Sequence, residues 1–545
     1  MWVLQFPAVQ PTNRTQLAAL MAIHLVWGSV LWFSISKYGL GISTDSVHLL
    51  FGGQSLAAGS GLVSYDGSFL ALWPPLYPAL LGSVHLVTGA HMLAAATILQ
   101  AAAFLGLSLC TSILLLRIFR GNFLPAAAAV ILSDIGAVVL TSFDVVGSDY
   151  VGLGLAMVSL LLTGTYIASG SGRAFAAMIG AGMLAMLDRY LFVAAIATSA
   201  ACVFTLSRTS LRQKLGRGLL VCVGALPAGV WLVMTGGQSG LRAPISFGEN
   251  FSWFSKSMLE WFFPTKVVKL HLDVSTALLW AIIVGLIVSV LLTWTGKSRG
   301  GARPGREHAA SEADNEPGLD PNFLLPILGF GGVYVLALFG SASIAYFNKL
   351  GGRFLLPVYI PFITLLVTAV GRVIDASRKA GGRGWRLVAP LVGGAALLAT
   401  AGLLLQVTLP LVSASHTDGA AGGDNAFNTK DWNKNQVIAY WRAHAPRGEY
   451  QLFSDEPDGV AFFTGHATLG SPRSTSGPYS TDQYALSSYP PELFASSVPV
   501  YLIWIEPRPA TYFYTVGDLA TIANVEPLFV SADGGVYRLT PKPGS

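Results

Sequence analysis

Two ionisable residues stand beside apolar segments that are long enough to enter a membrane. Arg353 lies in YFNKLGGRFLLPVYIPFITLL, which begins polar and basic and continues into an apolar stretch, and Asp45 follows the first apolar stretch of the chain. An ionised side chain at the end of a membrane helix costs desolvation energy unless it is wet or paired, so such residues mark candidate functional sites. Together, Asp45 and Arg353 indicate chemistry on an anionic, lipid-linked substrate at a membrane surface.

Asp45 has two interpretations. A carboxylate near the membrane surface is suited to act as a general base that takes the proton from an acceptor hydroxyl. Alternatively, Thr44 or Asp45 is the N-cap of a helix that starts at Ser46, because Thr and Asp are favoured cap residues. The two interpretations are compatible, since the N-terminus of a helix holds a carboxylate firmly in place.

Two further carboxylates, Asp144 and Asp149, lie in the segment TSFDVVGSDY. They either form a turn and cap before the next apolar span or take part in the chemistry. In the second case, Asp149 faces Asp45 and orients an acceptor or helps to bind a divalent cation, Mg²⁺ or Mn²⁺. The segment has no Asp-x-Asp pair, so any predicted metal site rests on Asp45 and Asp149.

Arg189, in MLDRYLFV, and Arg353 are cations at the ends of apolar spans. A guanidinium grips a phosphate with two parallel hydrogen bonds, so both arginines are candidate phosphate ligands. The alternative for Arg189 is an ion pair with its neighbour Asp188, or a side chain that extends to the membrane surface. Beside Arg353, Gly351 and Gly352 leave backbone amides free to approach the same anion.

Three further residues are candidates for substrate binding. Lys349 and Tyr346 shortly precede Arg353 and are predicted to line the same site. His48 is a lone histidine in an amphipathic stretch, and it either contacts the substrate or lies on a polar helix face. The chain has no convincing Walker loop, Rossmann fingerprint, zinc motif or nucleophile elbow.

The composition is that of a polytopic membrane protein. Of 545 residues, 53% are hydrophobic and only 11% are charged, whereas a soluble chain carries about 25% charged residues. In a membrane protein, the net charge of +5 is better explained by arginine-rich cytoplasmic loops than by nucleic-acid binding. The three cysteines all lie in apolar segments, so neither a disulfide framework nor a thiolate metal site is expected.

Apolar stretches predict about eleven membrane spans, since each span needs roughly 20 apolar residues. The first is predicted to be an uncleaved signal anchor, and a shorter run at 76–88, opened by two prolines, is predicted to lie along the membrane surface. The stretch around Asp188, Arg189 and Tyr190 is either one long helix or a broken one. The candidate spans are 17–35, 92–116, 123–140, 151–168, 174–187, 191–206, 219–235, 277–294, 323–339, 354–370 and 387–409.

The basic residues predict the orientation of these spans. If the N-terminus is cytoplasmic, every cluster of arginine and lysine falls on the cytoplasmic side, as the positive-inside rule requires. The clusters are Arg117 with Arg120, Arg173, and the groups at 208–217, 297–306 and 372–386. This orientation predicts a flexible cytoplasmic linker at 297–321 and places the first large loop, 37–91, on the outside.

The predicted organisation is a transmembrane domain at 1–412 followed by a small α/β domain at 413–545, outside the cytoplasm. The composition changes to that of a soluble domain from Ser413. Patterns of apolar residues predict helices at 432–443 and 518–523 and strands at 450–453, 498–505 and 536–539.

Several short motifs, in this order, resemble the bacterial branch of the GT-C glycosyltransferases, which includes mannosyltransferase-like and aminoarabinose-transferase-like enzymes. They are Asp45 after the first span, WPPLYPALL closing the first outer loop, and SDY opening a span where many members have Ser-Glu. DRY, GGRFLLPVYIP and the tail at 435–472, with QVIAYWRAHAP and LFSDEPDGVAFFTGHA, also match. The resemblance covers most of the chain.

The resemblance implies an enzyme of the bacterial plasma membrane that takes a sugar from a polyprenyl-phosphate carrier. It would pass the sugar to a lipid, glycan or protein acceptor outside the cytoplasm, generally with inversion of the anomeric centre. Asp45 would be the catalytic base, and Arg353 and Arg189 would hold the carrier phosphate. The chain departs from the family in two ways: Asp45 has no acidic neighbour, and the WWDYG-type motif of oligosaccharyltransferases is absent, which argues against en bloc transfer to asparagine.

Two other classes of function fit a polytopic chain. A transporter or lipid flippase would place ionisable residues and broken helices near the membrane midplane, often in repeated halves. Here the ionisable residues lie at one face and no internal repeat is visible. A membrane scaffold whose outer domain binds a partner would need neither Asp45 nor Arg353.

Overall fold

The structure is a computed structural model and describes residues 13–207, 209–235, 246–270, 272–298, 319–344, 350–380, 384–419, 427–475, 483–489, 493–495, 497–506 and 512–542. The part before residue 420 is helical. Its helices are α1 (Arg14–Ile35), α2 (Thr44–Ala57), α3 (Leu76–Thr88), α4 (Met92–Ile118), α5 (Phe123–Asp134), α6 (Ala137–Phe143), α7 (Asp149–Ser169), α8 (Gly172–Asp188), α9 (Val193–Leu206), α10 (Leu211–Val223), α11 (Leu226–Met234), α12 (Phe247–Leu259), α13 (Thr265–Leu270), α14 (Leu272–Ser298), α15 (Pro321–Ile344), α16 (Leu356–Ala380) and α17 (Trp385–Asp418).

Within the described ranges, seven helical segments are long and apolar enough to cross a membrane. An eighth span results if α5 and α6, which are bent by 56° relative to each other, count as one. The prediction of about eleven spans is not confirmed. The candidate at 191–206 corresponds to a shorter apolar helix, and those at 174–187 and 277–294 fall in α8 and α14, which are not among the seven segments. The predicted helix at 76–88 is confirmed as α3, and its position along the membrane surface stays a prediction.

Two breaks in the helices have identifiable causes. Between α5 and α6, a Cβ on Gly136 would lie 2.4 Å from the ring of Tyr359, so glycine makes room for this buried tyrosine, whose hydroxyl donates to the Leu132 carbonyl at 2.7 Å. Between α8 and α9, Arg189 has an extended backbone (φ −155°, ψ 124°) and is followed by the 3₁₀ turn Tyr190–Phe192. Of the two sequence interpretations of this stretch, the broken helix is therefore correct.

The carboxy-terminal part is an α/β unit. Its elements are α18 (Lys430–Lys434), α19 (Gln436–His444), β1 (Gln451–Ser454), α20 (Pro457–Thr464), β2 (Leu469–Gly470), β3 (Val500–Ile505), α21 (Val516–Ile522), β4 (Ala523–Ser531) and β5 (Gly534–Pro541). The sheet has the order β2-β1-β3-β5-β4. β1 is parallel to β2 and β3, whereas β5 is antiparallel to β3 and β4. The proposed domain boundary at 412/413 falls inside α17, which continues to Asp418.

Contacts between loops show which segments lie at the same end of the helix bundle. At one end, the Gln16 side chain donates to the Gly121 carbonyl at 3.0 Å, and the Asp320 amide donates to the Ile118 carbonyl at 2.8 Å. The start of α1, the turn after α4 and the residue before α15 thus lie together, as the charge pattern predicts. At the opposite end, hereafter the site end, the Gly41 amide donates to the Asp144 carbonyl at 2.6 Å.

Candidate active site

Asp45 lies in the first turn of α2 at the site end. The N-cap is Ser43, whose hydroxyl accepts from the Ser46 amide at 3.3 Å, while the Ser43 amide donates to the Ser46 hydroxyl at 3.0 Å. The prediction that Thr44 or Asp45 caps a helix starting at Ser46 is therefore wrong, because this reciprocal capping box begins the helix earlier. Asp45 is left with its carboxylate near the helix N-terminus, where the helix dipole stabilises negative charge.

The backbone before Asp45 lies between two other segments of the chain. Gly41 pairs in parallel with Val145 of the loop before α7, and Ile42 pairs antiparallel with Phe427. In addition, the Asn428 side chain donates to the carbonyls of Tyr38 and Leu40, at 2.6 and 3.0 Å. These bonds tie the segment that leads into α2 to both sides, so they restrict the position of Asp45.

Arg353 reaches Asp45 from a sequence distance of 308 residues. It lies on the 3₁₀ turn Gly352–Leu355 at the start of α16, and its guanidinium donates to Oδ2 of Asp45. Gly352 has φ +55°, a left-handed conformation that glycine adopts without strain. The sequence thus identified both members of this ion pair as candidates, and the fold brings them together.

Arg189 forms an ion pair with Asp149, the first residue of α7. The prediction that Arg189 pairs with its neighbour Asp188 is wrong: the extended backbone at Arg189 ends α8, and Asp188 is buried against Gly152, where an added Cβ would lie 2.6 Å from its Oδ2. Arg189 therefore connects the break after α8 to the start of α7.

The two ion pairs are neighbours. The guanidinium carbons of Arg189 and Arg353 lie 4.9 and 5.9 Å from the centre of the Phe354 ring. A Cβ on Gly147 would lie 3.3 Å from Oδ2 of Asp149 and 3.6 Å from a terminal nitrogen of Arg353. The exposed fractions of the side chains fall from 39% for Asp45 through 23% for Arg353 and 17% for Arg189 to 5% for Asp149. The pair with Asp45 is therefore the accessible one.

His48 lies one turn after Asp45 and contacts both the first loop and the C-terminal domain. Its ring stacks on Trp73, with ring centres 4.7 Å apart, and its Nδ1 is within hydrogen-bonding distance of the Ser64 hydroxyl. Its Nε2 lies 3.5 Å from Oδ1 of Asp458, in the first turn of α20, and the Tyr65 hydroxyl donates to the same oxygen at 2.7 Å. His48 thus has protein partners on both ring nitrogens, and its predicted contact with substrate stays a prediction.

The surroundings of Asp458 shift the protonation equilibria at this contact. Burial raises the pKa of the Asp458 carboxyl, and the nearby charge of Asp45 adds to this, whereas the hydrogen bond from Tyr65 and the charge of His48 oppose it. Burial also raises the pKa of the Tyr65 phenol, and the negative charge of Asp458 raises it further. The Tyr65 hydroxyl is therefore held as a hydrogen-bond donor to the carboxylate.

Sequence reasoning missed Asp458 and Tyr65. They lie 393 residues apart, and neither stands beside an apolar span, which was the signal that identified the other candidates. The only local indication was the sequence DEPDG, in which a proline and an acid suit the first turn of a helix. Tyr346 and Lys349, predicted to line the site, fall outside the described residues.

The residues of the site offer limited support for a metal ion. Within the described part of the chain, no three His, Cys, Asp or Glu side chains are grouped so that they could hold one. Asp45 and Asp149 are each engaged by a guanidinium. The divalent cation stays a prediction, and no chemical step is assigned to it.

The spans, the C-terminal sheet and the charged site between the loops define a multi-pass membrane protein with the fold of the GT-C glycosyltransferases. ArnT from Cupriavidus metallidurans in the apo state aligns with a TM-score of 0.55 and 14% identity, over 96% of this chain and 98% of that one. In its form bound to undecaprenyl phosphate, the same protein aligns with a TM-score of 0.52 at 14% identity, with the same coverage.

Two other solved structures share the fold. The Archaeoglobus fulgidus oligosaccharyltransferase in complex with Zn and sulfate aligns with a TM-score of 0.51 and 13% identity, over 96% of this chain and 72% of that one. The arabinofuranosyltransferase AftD from Mycobacteria aligns with a TM-score of 0.52 and 15% identity, over 99% of this chain and 41% of that one. No protein-family model matches the chain, and no curated protein resembles it in sequence.

Proposed function

We propose that this protein is a membrane glycosyltransferase that moves a sugar from a polyprenyl-phosphate carrier to a lipid, glycan or protein acceptor outside the cytoplasm. The observation that carries the proposal is the accessible ion pair between Asp45 and Arg353 at the site end of the bundle. It places a candidate base and a candidate phosphate ligand in contact. A carboxylate is suited to accept the acceptor's proton, and a guanidinium is suited to hold a phosphate.

In the proposed reaction, Asp45 accepts the proton of the acceptor hydroxyl as its oxygen attacks the anomeric carbon. The bond from that carbon to the phosphate oxygen breaks, and the carrier leaves as polyprenyl phosphate. A single displacement of this kind inverts the anomeric centre. Asp45 is suited to the role of base because it is the most exposed of the four charged side chains and because the N-terminus of α2 fixes its carboxylate.

Arg353 and Arg189 are proposed to hold the phosphate of the carrier. A guanidinium carries five N–H donors, so Arg353 can keep a bond to Asp45 and still offer others to the phosphate. The phosphate gains negative charge as the glycosidic bond breaks, and two cations beside it stabilise that charge in the transition state. Both guanidinium groups lie near the ring of Phe354, so they can converge on one anion.

The shared fold supports the donor class. ArnT, which has this fold, has been crystallised with undecaprenyl phosphate, and a polyprenyl phosphate is the anionic, lipid-linked ligand that the two arginines would suit. We propose the bacterial plasma membrane as the location, with the N-terminus cytoplasmic and the C-terminal domain outside, from the distribution of arginine and lysine between loops.

The test is to incubate the purified full chain in lipid nanodiscs with a panel of radiolabelled polyprenyl-phosphate sugars and a membrane extract that supplies acceptors. We expect the label of one donor to leave the carrier and to appear in a product, with release of polyprenyl phosphate. Unlabelled undecaprenyl phosphate should compete for the same site. A flippase would move the donor across a bilayer without cleaving it, so intact donor in every reaction of the panel contradicts the proposal.

A further inference from the structure

Helix α2 carries Asp45 and also touches the C-terminal domain through polar side chains. Thr44 and Asp45 are adjacent, and His48 follows them by four and three positions. The three side chains therefore lie close together at the start of α2. Asp458 faces this turn from α20: His48 lies 3.5 Å from its Oδ1, the Thr44 hydroxyl is a further hydrogen-bonding neighbour, and the charge of Asp45 acts on it.

A third segment joins the contact from the first loop. Tyr65 donates to Oδ1 of Asp458 at 2.7 Å, and its ring lies 5.2 Å from that of His48. Asp66 and Arg473 are charged groups close enough to act on the Tyr65 phenol. Asp458 is thus the point at which α2, the first loop and the C-terminal domain meet.

Simple packing does not explain a carboxylate at this position. The Asp458 side chain is only 16% exposed, and removing a charged group from water costs free energy that only good hydrogen bonds offset. An apolar residue would fill the same space without that cost. What a carboxylate adds is direction, because its bonds fix the orientation of the side chains that donate to it.

We propose that Asp458 is a positioning residue that holds the first turn of α2, and therefore Asp45, against the C-terminal domain. Tyr65 and His48 hold the carboxylate in turn. The C-terminal domain is then part of the catalytic unit rather than an appended module. The expected effect on the rate of sugar transfer rests on the proposed function, whereas the expected effect on the position of α2 does not.

The structural test is hydrogen–deuterium exchange of the full chain in nanodiscs. Asp458→Ala is expected to raise the exchange rate of amides in the first turns of α2 about tenfold, because local opening becomes easier when a tertiary contact is lost. Asp518→Asn is the matched control, since Asp518 is an exposed carboxylate of the same domain, in the capping box of α21. Unchanged exchange in α2 for Asp458→Ala would overturn the proposal, whatever the activity of the enzyme.

Milder variants guard against misfolding. Tyr65→Phe removes one hydroxyl and should raise exchange in α2 by a smaller factor than Asp458→Ala. Asp458→Asn keeps an oxygen that accepts from Tyr65 and should restore most of the protection. If Tyr65→Phe and Asp458→Asn both leave exchange as in the wild type while Asp458→Ala unfolds the whole C-terminal domain, Asp458 is a stability residue only.

The kinetic test separates positioning from other roles. Asp458→Ala should lower kcat on the order of tenfold to a hundredfold while the donor KM stays within about twofold, because a misplaced base slows the chemical step rather than donor binding. In an Asp45→Asn background, Asp458→Ala should not lower the residual rate further. An equal loss in both backgrounds would show that Asp458 acts independently of Asp45. If the wild type transfers no sugar at all, the proposed function fails, and the exchange experiment still decides the contact.

Discussion

The two ion pairs of the site differ in burial, and this difference separates the roles expected for their arginines. Asp149 and Arg189 are 5% and 17% exposed, whereas Asp45 and Arg353 are 39% and 23% exposed. Removing one partner of a buried pair leaves an uncompensated charge, which typically costs about 3–5 kcal/mol. Arg189 should therefore matter for stability as well as for phosphate binding, and Arg353 mainly for catalysis.

Arg353→Lys should impair turnover although the charge is kept. A lysine replaces a planar fork with a point charge, so it cannot hold both Asp45 and a phosphate in the same geometry. Loss of one hydrogen bond to a charged group is worth about 1.5–3 kcal/mol, which corresponds to a loss on the order of tenfold or more in kcat/KM. Steady-state kinetics with one polyprenyl-phosphate donor measures it, and Arg353→Ala should be worse.

The matched variant is Arg189→Lys, measured in the same kinetic assay and by thermal unfolding. A nearly silent Arg189→Lys would be expected if Arg189 paired only with Asp188, but it pairs with buried Asp149. We therefore expect a lower unfolding temperature for Arg189→Lys than for Arg353→Lys. Wild-type kcat and KM for Arg353→Lys would make Arg353 an interfacial anchor instead of a phosphate ligand.

The sequence predicted which residue types stand at the ends of spans, but not how they pair. Asp45, Asp149, Arg189 and Arg353 were all candidates, because an ionised group beside an apolar span is costly and therefore informative. Their partners depend on how segments that are distant in sequence meet in the fold. For that reason the alternative partner for Arg189 was its neighbour Asp188 instead of Asp149, and Asp458 was missed.

The position of α2 depends on close packing against α3. A Cβ on Gly82 of α3 would lie 2.7 Å from the Gly53 carbonyl oxygen of α2. A Cβ on Gly53 would lie 2.9 Å from the Cβ of Leu81 in α3. The two helices therefore approach each other backbone to backbone. Because Asp45 is on α2, a change in this approach is transmitted to the site.

Gly82→Ala should force α2 and α3 apart. Overpacking of this kind costs about 1–3 kcal/mol, so the apparent unfolding temperature and kcat should both fall. Gly106→Ala is the matched control, because an added methyl on Gly106 of α4 meets no described atom within 4 Å. Differential scanning fluorimetry and the transfer assay measure both variants. Equal behaviour of the two would show that the contact between α2 and α3 tolerates a methyl group.

Strands were predicted well where their residues are mostly apolar and buried, and poorly where they are exposed. The predicted strands at 450–453, 498–505 and 536–539 correspond to β1, β3 and β5. β4 and α20 were missed. β4 is partly exposed and contains Pro527, which weakens a strand pattern, and α20 has only eight residues. The start of α2 was misplaced because Ser43 and Ser46 form a capping box, which local propensity alone does not distinguish from a cap at Thr44 or Asp45.

The site is assembled from loops at one end of the helix bundle together with the C-terminal domain. The segments that meet there are the start of α2, the loop before α7, the break after α8, the turn before α16 and the start of α20. The start of α1 and the residue before α15 lie at the other end. If the basic loops are cytoplasmic, the site end faces outward.

Fusions with alkaline phosphatase, which is active only outside the cytoplasm, test this orientation. A fusion after Asp418, at the end of α17, should be active, and a fusion after Arg303 should be inactive, because basic loops are retained inside. A β-galactosidase fusion at each position is the control and should give the opposite pattern. The reverse result would place the site in the cytoplasm and overturn the proposed donor and acceptor topology.

The turnover of Asp45→Asn with a polyprenyl-phosphate donor tests whether Asp45 is the general base. Asparagine keeps the size of the side chain, and Ser43 caps α2 in either protein, so the change removes the base without removing the cap. We expect kcat to fall on the order of 10²-fold or more, with donor binding, expression and membrane insertion retained. Near-normal kcat for Asp45→Asn would contradict the assignment of Asp45 as the general base.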